Sequence, residues 1–209
     1  RRGRMLTNET INKLLGITES YQAPQVMLAH MLDPEKREKL FCAFLEHETR
    51  MGYEWFSEYF ESEHSDRRVK KQDFTPVSVS ELLAQLTGGN TYFECAAGTG
   101  GILIQKWNEQ RMQAGPARYD PRAYWCQVEE LSDRAVPFLI FNMAIRGMCG
   151  SIIHGDSLTR KAKEVYFIRN DSADFLGFSE VIRMKHCKEL EHELGISFEG
   201  GNHAEEKHK

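Results

Sequence analysis

The feature that most constrains this chain is a short strand that runs into a glycine-rich turn and then a helix. Thr91 to Cys95 reads as the strand, Ala96-Ala97-Gly98-Thr99-Gly100-Gly101 as the turn, and Ile102 to Gln113 as the helix. Glycines remove Cβ atoms, so backbone can approach a ligand closely. The helix after the turn presents unpaired N–H groups at its first turn. In an open α/β sheet that place, outside the carboxyl end of a strand, is where ligands bind. A turn of this kind also serves as a plain strand-to-helix connection, so the acids around it carry the argument further.

Glu94 lies just before the turn, where a carboxylate would repel a pyrophosphate but suit the ammonium of a methionine moiety. No Gly-Lys-Ser/Thr follows, so the phosphate-and-magnesium reading of a P-loop is excluded. The pair Glu129-Glu130 ends the next expected strand, Tyr124 to Val128, and a carboxylate there can accept from both hydroxyls of a ribose. Asp156, after the third expected strand (Ser151 to His154), is placed to meet an adenine amino group. Any one acid is most simply a surface or capping residue; three at successive strand ends point to a nucleotide-like cofactor.

The flanking pattern predicts an α/β fold. Helices are expected at Ser78–Leu86 and Ser132–Arg146 and a fourth strand at Glu164–Ile168, which together imply a parallel, doubly wound sheet. The first 65 or so residues read as helical. Thr7 or Asn8 caps a helix stopped by Gly16, Pro24 and Pro34 break up the next segments, and Glu35 to about His64 keeps a helical apolar period. The aromatic stripe in that stretch is expected to be core. The organisation expected is therefore a helical cap over residues 5–66, a sheet-bearing domain over 67–198 and a flexible tail over 199–209.

Composition excludes several classes. With 41% hydrophobic and 28% charged residues the chain can build an ordinary core. No apolar run approaches the ~18 residues of a membrane span. The amino end lacks the apolar stretch of a signal peptide, and Met5 is the expected natural start. The five cysteines are scattered, without zinc-site spacing, and are expected to be reduced and buried in a cytoplasmic protein; no metal site is expected. A net charge of −4 is a poor match for DNA phosphates, and Arg67, Arg68, Lys70 and Lys71 are the local basic run that offsets it.

Two motifs together resemble a known family. Gln72-Asp73-Phe74-Thr75-Pro76, followed by Phe93 to Gly101, is similar to the paired motifs of N6-adenine DNA methyltransferases, and most similar to modification subunits of type I restriction systems. Glu130 with the helix to Asn142, and Gly155-Asp156-Ser157-Leu158, extend the resemblance over Gln72 to Leu158. It implies a Rossmann-like methyltransferase sheet and an S-adenosylmethionine site made by Thr75, Pro76, Glu94, Ala96, Gly98, Gly100, Glu130 and Asp156. It also implies DNA as substrate and a specificity or restriction subunit as partner.

The resemblance stops short of the reacting atoms. The family holds the flipped base with Asn/Asp-Pro-Pro-Tyr/Phe after the fourth strand. This sequence has no Pro-Pro pair, and reads Asn170-Asp171-Ser172-Ala173 at that place. Asn170 is the one candidate for the clamp. Two functions are expected in consequence: methyl transfer to adenine in DNA, or a catalytically inactive relative that acts by binding, as a regulatory or antirestriction protein of a mobile element. Methylation of RNA or protein is a third, because the cofactor half does not specify the acceptor.

Overall fold

A computed structural model describes residues 6–60, 90–172 and 176–200. Three helices open the chain: α1 (Asn8–Leu15), α2 (Ala23–Met31) and α3 (Pro34–Leu45). The Thr7 hydroxyl accepts the Thr10 amide at the start of α1, and Gly16 ends the helix in the left-handed region at φ 68°. Pro24 and Pro34 begin helices instead of breaking them: each occupies the first turn, where its missing N–H is not needed. The expected helical run from Glu35 is interrupted, since α3 ends at Leu45 and helix resumes at residue 57.

The second part alternates strand and helix: β1 (Thr91–Cys95), α4 (Gly101–Ala114), β2 (Trp125–Glu130), α5 (Val136–Ile145), β3 (Gly150–Asp156), β4 (Lys161–Arg169), β5 (Glu180–Arg183), α6 (Lys188–Leu194) and β6 (Ser197–Phe198). The six strands form one sheet in the order β1-β2-β3-β4-β5, with β6 also beside β4. The β1–β2 and β2–β3 pairs are parallel. The expectation of a parallel sheet throughout fails at β4, which runs antiparallel to both β3 and β5. Only residues 157–160 join β3 to β4. A parallel return needs a crossover of a dozen or more residues, so this link can only make a hairpin. Among the described residues, β1 pairs with β2 alone.

Two cores lie on opposite faces of the sheet, as the alternation of side chains along a strand requires. Ile152 faces the larger core with Tyr92, Val128, Tyr166 and the helices α1 to α5. Ile153 faces the smaller one, closed by Leu190, Ile196 and Phe198. All ten residues of α5 are buried. Its sequence, Val-Pro-Phe-Leu-Ile-Phe-Asn-Met-Ala-Ile, is apolar all round, so it sits between the sheet and the amino-terminal helices. The aromatic stripe is core as expected: Phe41, Phe44, Phe56 and Phe60 pack edge-on or tilted against Phe138 and Phe141 of α5. No described helix is long and apolar enough to cross a membrane.

Candidate functional site at the glycine turn

The glycine turn forms at the carboxyl ends of the parallel strands. Ala96, Gly98 and Gly100 alternate in the left-handed region, at φ 58°, 58° and 95°. For Ala96 that conformation costs about 1 kcal/mol, because its Cβ crowds the carbonyl that comes next. The Ala97 amide donates to the Glu129 carbonyl at 2.9 Å and the Gly100 amide to the Ala97 carbonyl at 2.9 Å. The turn is thus fastened to β2 as well as to itself. Among the described residues, a Cβ on Gly98 or Gly101 would meet nothing within 4 Å.

Glu130 is the acid that reaches the turn. It is buried; its Oε2 accepts the Gly98 amide at 2.7 Å and its Oε1 accepts the Ser132 amide at 2.8 Å. Glu94 stands on the neighbouring strand, partly buried, with the Tyr92 hydroxyl donating to its Oε2 at 3.0 Å. Burial pushes the Glu94 carboxyl up to about 7; the Glu130 charge adds to the push, while hydrogen bonds from Tyr92 and Leu103 oppose it. Asp156, at the end of β3, is held below its usual range by hydrogen bonds from the Leu158 amide and from Thr159.

Glu129, the other member of the acid pair, has a different task. It is 1% exposed and takes the Arg160 guanidinium at 2.6 and 2.7 Å. Arg160 also donates to the Leu194 and Gly195 carbonyls, so it bolts the end of α6 to the end of β2. This pair is structural, which leaves Glu130 as the member of the acid pair that reaches the glycine turn.

Asn170 is not brought to this end of the sheet. Because β4 is antiparallel, its last residues lie beside the start of β3: Ile168 pairs with Gly150. Asn170 is 4% exposed, and its amide donates to the Gly147 and Gly177 carbonyls while its oxygen accepts the Ser172 amide. Thr75 and Pro76, and the basic residues Arg67, Arg68, Lys70 and Lys71, fall outside the described residues, as does the helix expected over Ser78–Leu86. Of the five cysteines expected to be buried only Cys126 is; Cys149 and Cys187 are half-buried, and Cys42 and Cys95, which closes β1, are exposed.

Composition and periodicity assigned no role to Asn142, Arg146 and Glu54. Asn142 is wholly buried, and its amide donates to the Thr99 carbonyl at 2.7 Å and to Glu54 Oε1 at 2.9 Å. Arg146 donates to Asn142 Oδ1 at 2.8 Å and to the Met51 and Tyr53 carbonyls at 2.9 and 2.8 Å, with Trp55 under its guanidinium. Burial pushes that guanidinium down to about 9, and Glu54 and Tyr53 partly restore it. The available signal was a lone amide in a ten-residue apolar helix, since a buried polar group needs partners.

A glycine turn and acids at the carboxyl ends of parallel strands, within a mixed sheet covered by helices, define an α/β protein. The chain belongs to the N-6 DNA methylase family, whose sequence model matches residues 49–176. The match takes in the glycine turn, Glu94, Glu130, Asp156 and the loop that carries Glu54. No curated protein matches the chain significantly.

Proposed function

We propose that the chain is a Rossmann-like, S-adenosylmethionine-binding protein of the DNA adenine-N6 methyltransferase type. The observation that carries this is the glycine turn with Glu130 on the Gly98 amide and Glu94 beside it, where a Cβ on Gly98 would meet no described atom within 4 Å. A glycine cradle with two carboxylates at its rim fits a cofactor that has a ribose and an ammonium and lacks phosphates. Glu130 would accept from the ribose hydroxyls, Glu94 would meet the ammonium, and Asp156 would take the adenine amino group. Ala96, Gly98 and Gly100 would give backbone, and Thr75 and Pro76 would complete the wall. When bound, the cofactor supplies an activated methyl group on its sulfonium. The residues of this chain bind and orient it.

In this reading residues 5–66 are a helical cap, 67–198 the methyltransferase-type domain and 199–209 a tail. Arg67, Arg68, Lys70 and Lys71 contact DNA phosphates, and a specificity or restriction subunit of type I character is the proposed protein partner.

The position of Asn170 favours a second reading. Its amide is spent on backbone at the opposite end of the sheet, and the sequence has no Pro-Pro pair to build the base clamp. A chain that binds the cofactor and lacks a clamp acts by binding, as a regulatory or antirestriction protein.

Calorimetry of the full chain with S-adenosylmethionine is expected to show one site, lost in Gly98→Asp. Absence of heat from folded wild-type protein ends the cofactor reading. Labelled methyl transfer to unmethylated DNA, measured without and with a type I specificity subunit, then separates the two functions: incorporation establishes the enzyme, and its absence in both arms with cofactor bound favours the binding protein.

A further inference from the structure

Asn142 is the only polar residue in α5 and lies where three parts of the molecule meet. Its amide reaches the Thr99 carbonyl within the glycine turn and the Glu54 carboxyl in the loop after α3. Its oxygen takes Arg146, which grips the same loop through the Met51 and Tyr53 carbonyls. Glu54 is itself fixed, accepting the Phe56 amide at 2.9 Å and the Ser57 hydroxyl at 2.5 Å. Thr99 is 3% exposed, so its carbonyl has no water to fall back on when Asn142 is removed. Gly98 and Gly100, on either side of Thr99, both lie in the left-handed region, and as glycines they have other conformations open to them when the contacts around the turn are lost.

We infer that Asn142 is a positioning residue that sets the glycine turn, and that Glu54 and Arg146 make the turn's geometry depend on the docked loop of residues 50–54. The effect on cofactor affinity rests on the proposed S-adenosylmethionine site; the effect on the turn itself does not. Asn142 meets the turn at the Thr99 carbonyl, so it acts through backbone and not on a ligand. The amino-terminal loop is then part of the binding apparatus.

The test uses the full chain and two readouts, amide hydrogen exchange and calorimetry. In Asn142→Ala and Glu54→Ala the Gly98 and Gly100 amides are expected to exchange at least about tenfold faster than in wild type. In Leu190→Ala, which weakens the opposite core, they are expected to track only the global loss of stability. Glu54→Gln keeps an oxygen for Asn142 and is expected to restore wild-type exchange. The affinity for S-adenosylmethionine is expected to fall about tenfold in the two alanine variants and within about twofold of wild type in Glu54→Gln. If Asn142→Ala does not fold, the Glu54→Ala and Glu54→Gln pair carries the same comparison. Turn amides that exchange no faster than in Leu190→Ala overturn the inference. Faster exchange in a protein whose wild type binds no cofactor keeps the positioning role and removes the proposed site. Faster exchange with unchanged affinity removes the link between the loop and binding.

Discussion

Glu130 Oε2 sits 2.7 Å from the Gly98 amide nitrogen, so the carboxyl end of β2 holds the glycine turn that comes after β1. The same carboxylate accepts the Ser132 amide, which fixes the approach to α5. One buried acid therefore joins the end of β2 to the turn that follows β1.

Removing that acid should be felt twice. Glu130→Ala leaves the Gly98 and Ser132 amides without their acceptor and is expected to lower stability by about 1–3 kcal/mol. Cofactor affinity should drop by tenfold or more, roughly a charge-assisted hydrogen bond's worth. Urea denaturation and calorimetry measure the two effects, and equal affinity in the variant would take Glu130 out of the site.

Glu94 gives the site a pH dependence. Its folded-state carboxyl titrates near 7, above the ordinary value of 4.5, so the folded protein holds a proton that the unfolded chain has lost between those values. Stability from this group is therefore present below pH 4.5 and declines as pH rises to about 7. Affinity for a ligand ammonium runs the other way, because only the ionised carboxylate attracts it. Between pH 7.5 and 6 the affinity should fall about eightfold, the change in ionised fraction for such a group. Glu94→Gln should abolish both trends; a slope that persists in that variant belongs to another residue.

Two glycines of the turn should differ in what they tolerate. Gly98→Ala meets no described atom within 4 Å and bears the strain of its left-handed backbone, about 1 kcal/mol. Gly100→Ala bears the same strain and also brings a Cβ to 3.0 Å from Leu139 Cδ1 in the buried face of α5. It should be the less stable of the two by about 1 kcal/mol or more, read as a lower melting temperature. The reverse order would mean that α5 gives way easily.

Arg160 holds the far side of the sheet through Glu129. Arg160→Ala strands a carboxylate that is 1% exposed and should cost about 3 kcal/mol. Arg160 also lies at φ 59°, so Arg160→Gly relieves backbone strain and should be less harmful by about 1 kcal/mol. Chemical denaturation of both variants checks the ranking.

Local signals define much of this fold. The five-residue strand before the turn runs from Thr91 to Cys95, the bounds its sequence predicts, because glycine punctuation marks strand ends. Thr7 and Gly16 mark both ends of α1, since caps are chosen by side-chain chemistry within one turn of helix. The direction of β4 is less visible: the apolar pattern of Glu164 to Ile168 is the same for either direction, and only the four-residue link from β3 decides it. The family's motifs single out Glu130 of the acid pair but say nothing of what Glu129 meets.

The sequence by itself determined the glycine turn, the strands and helices around it, and membership of a methylase family, because these rest on residues close together in the chain. The packed fold was needed to show that Glu129 serves Arg160, that Asn170 lies at the opposite end of the sheet, and that Asn142 ties Glu54 to Thr99. Those assignments depend on which buried polar groups meet across long stretches of chain. A buried donor or acceptor must find a partner somewhere, and only the packed fold says which one.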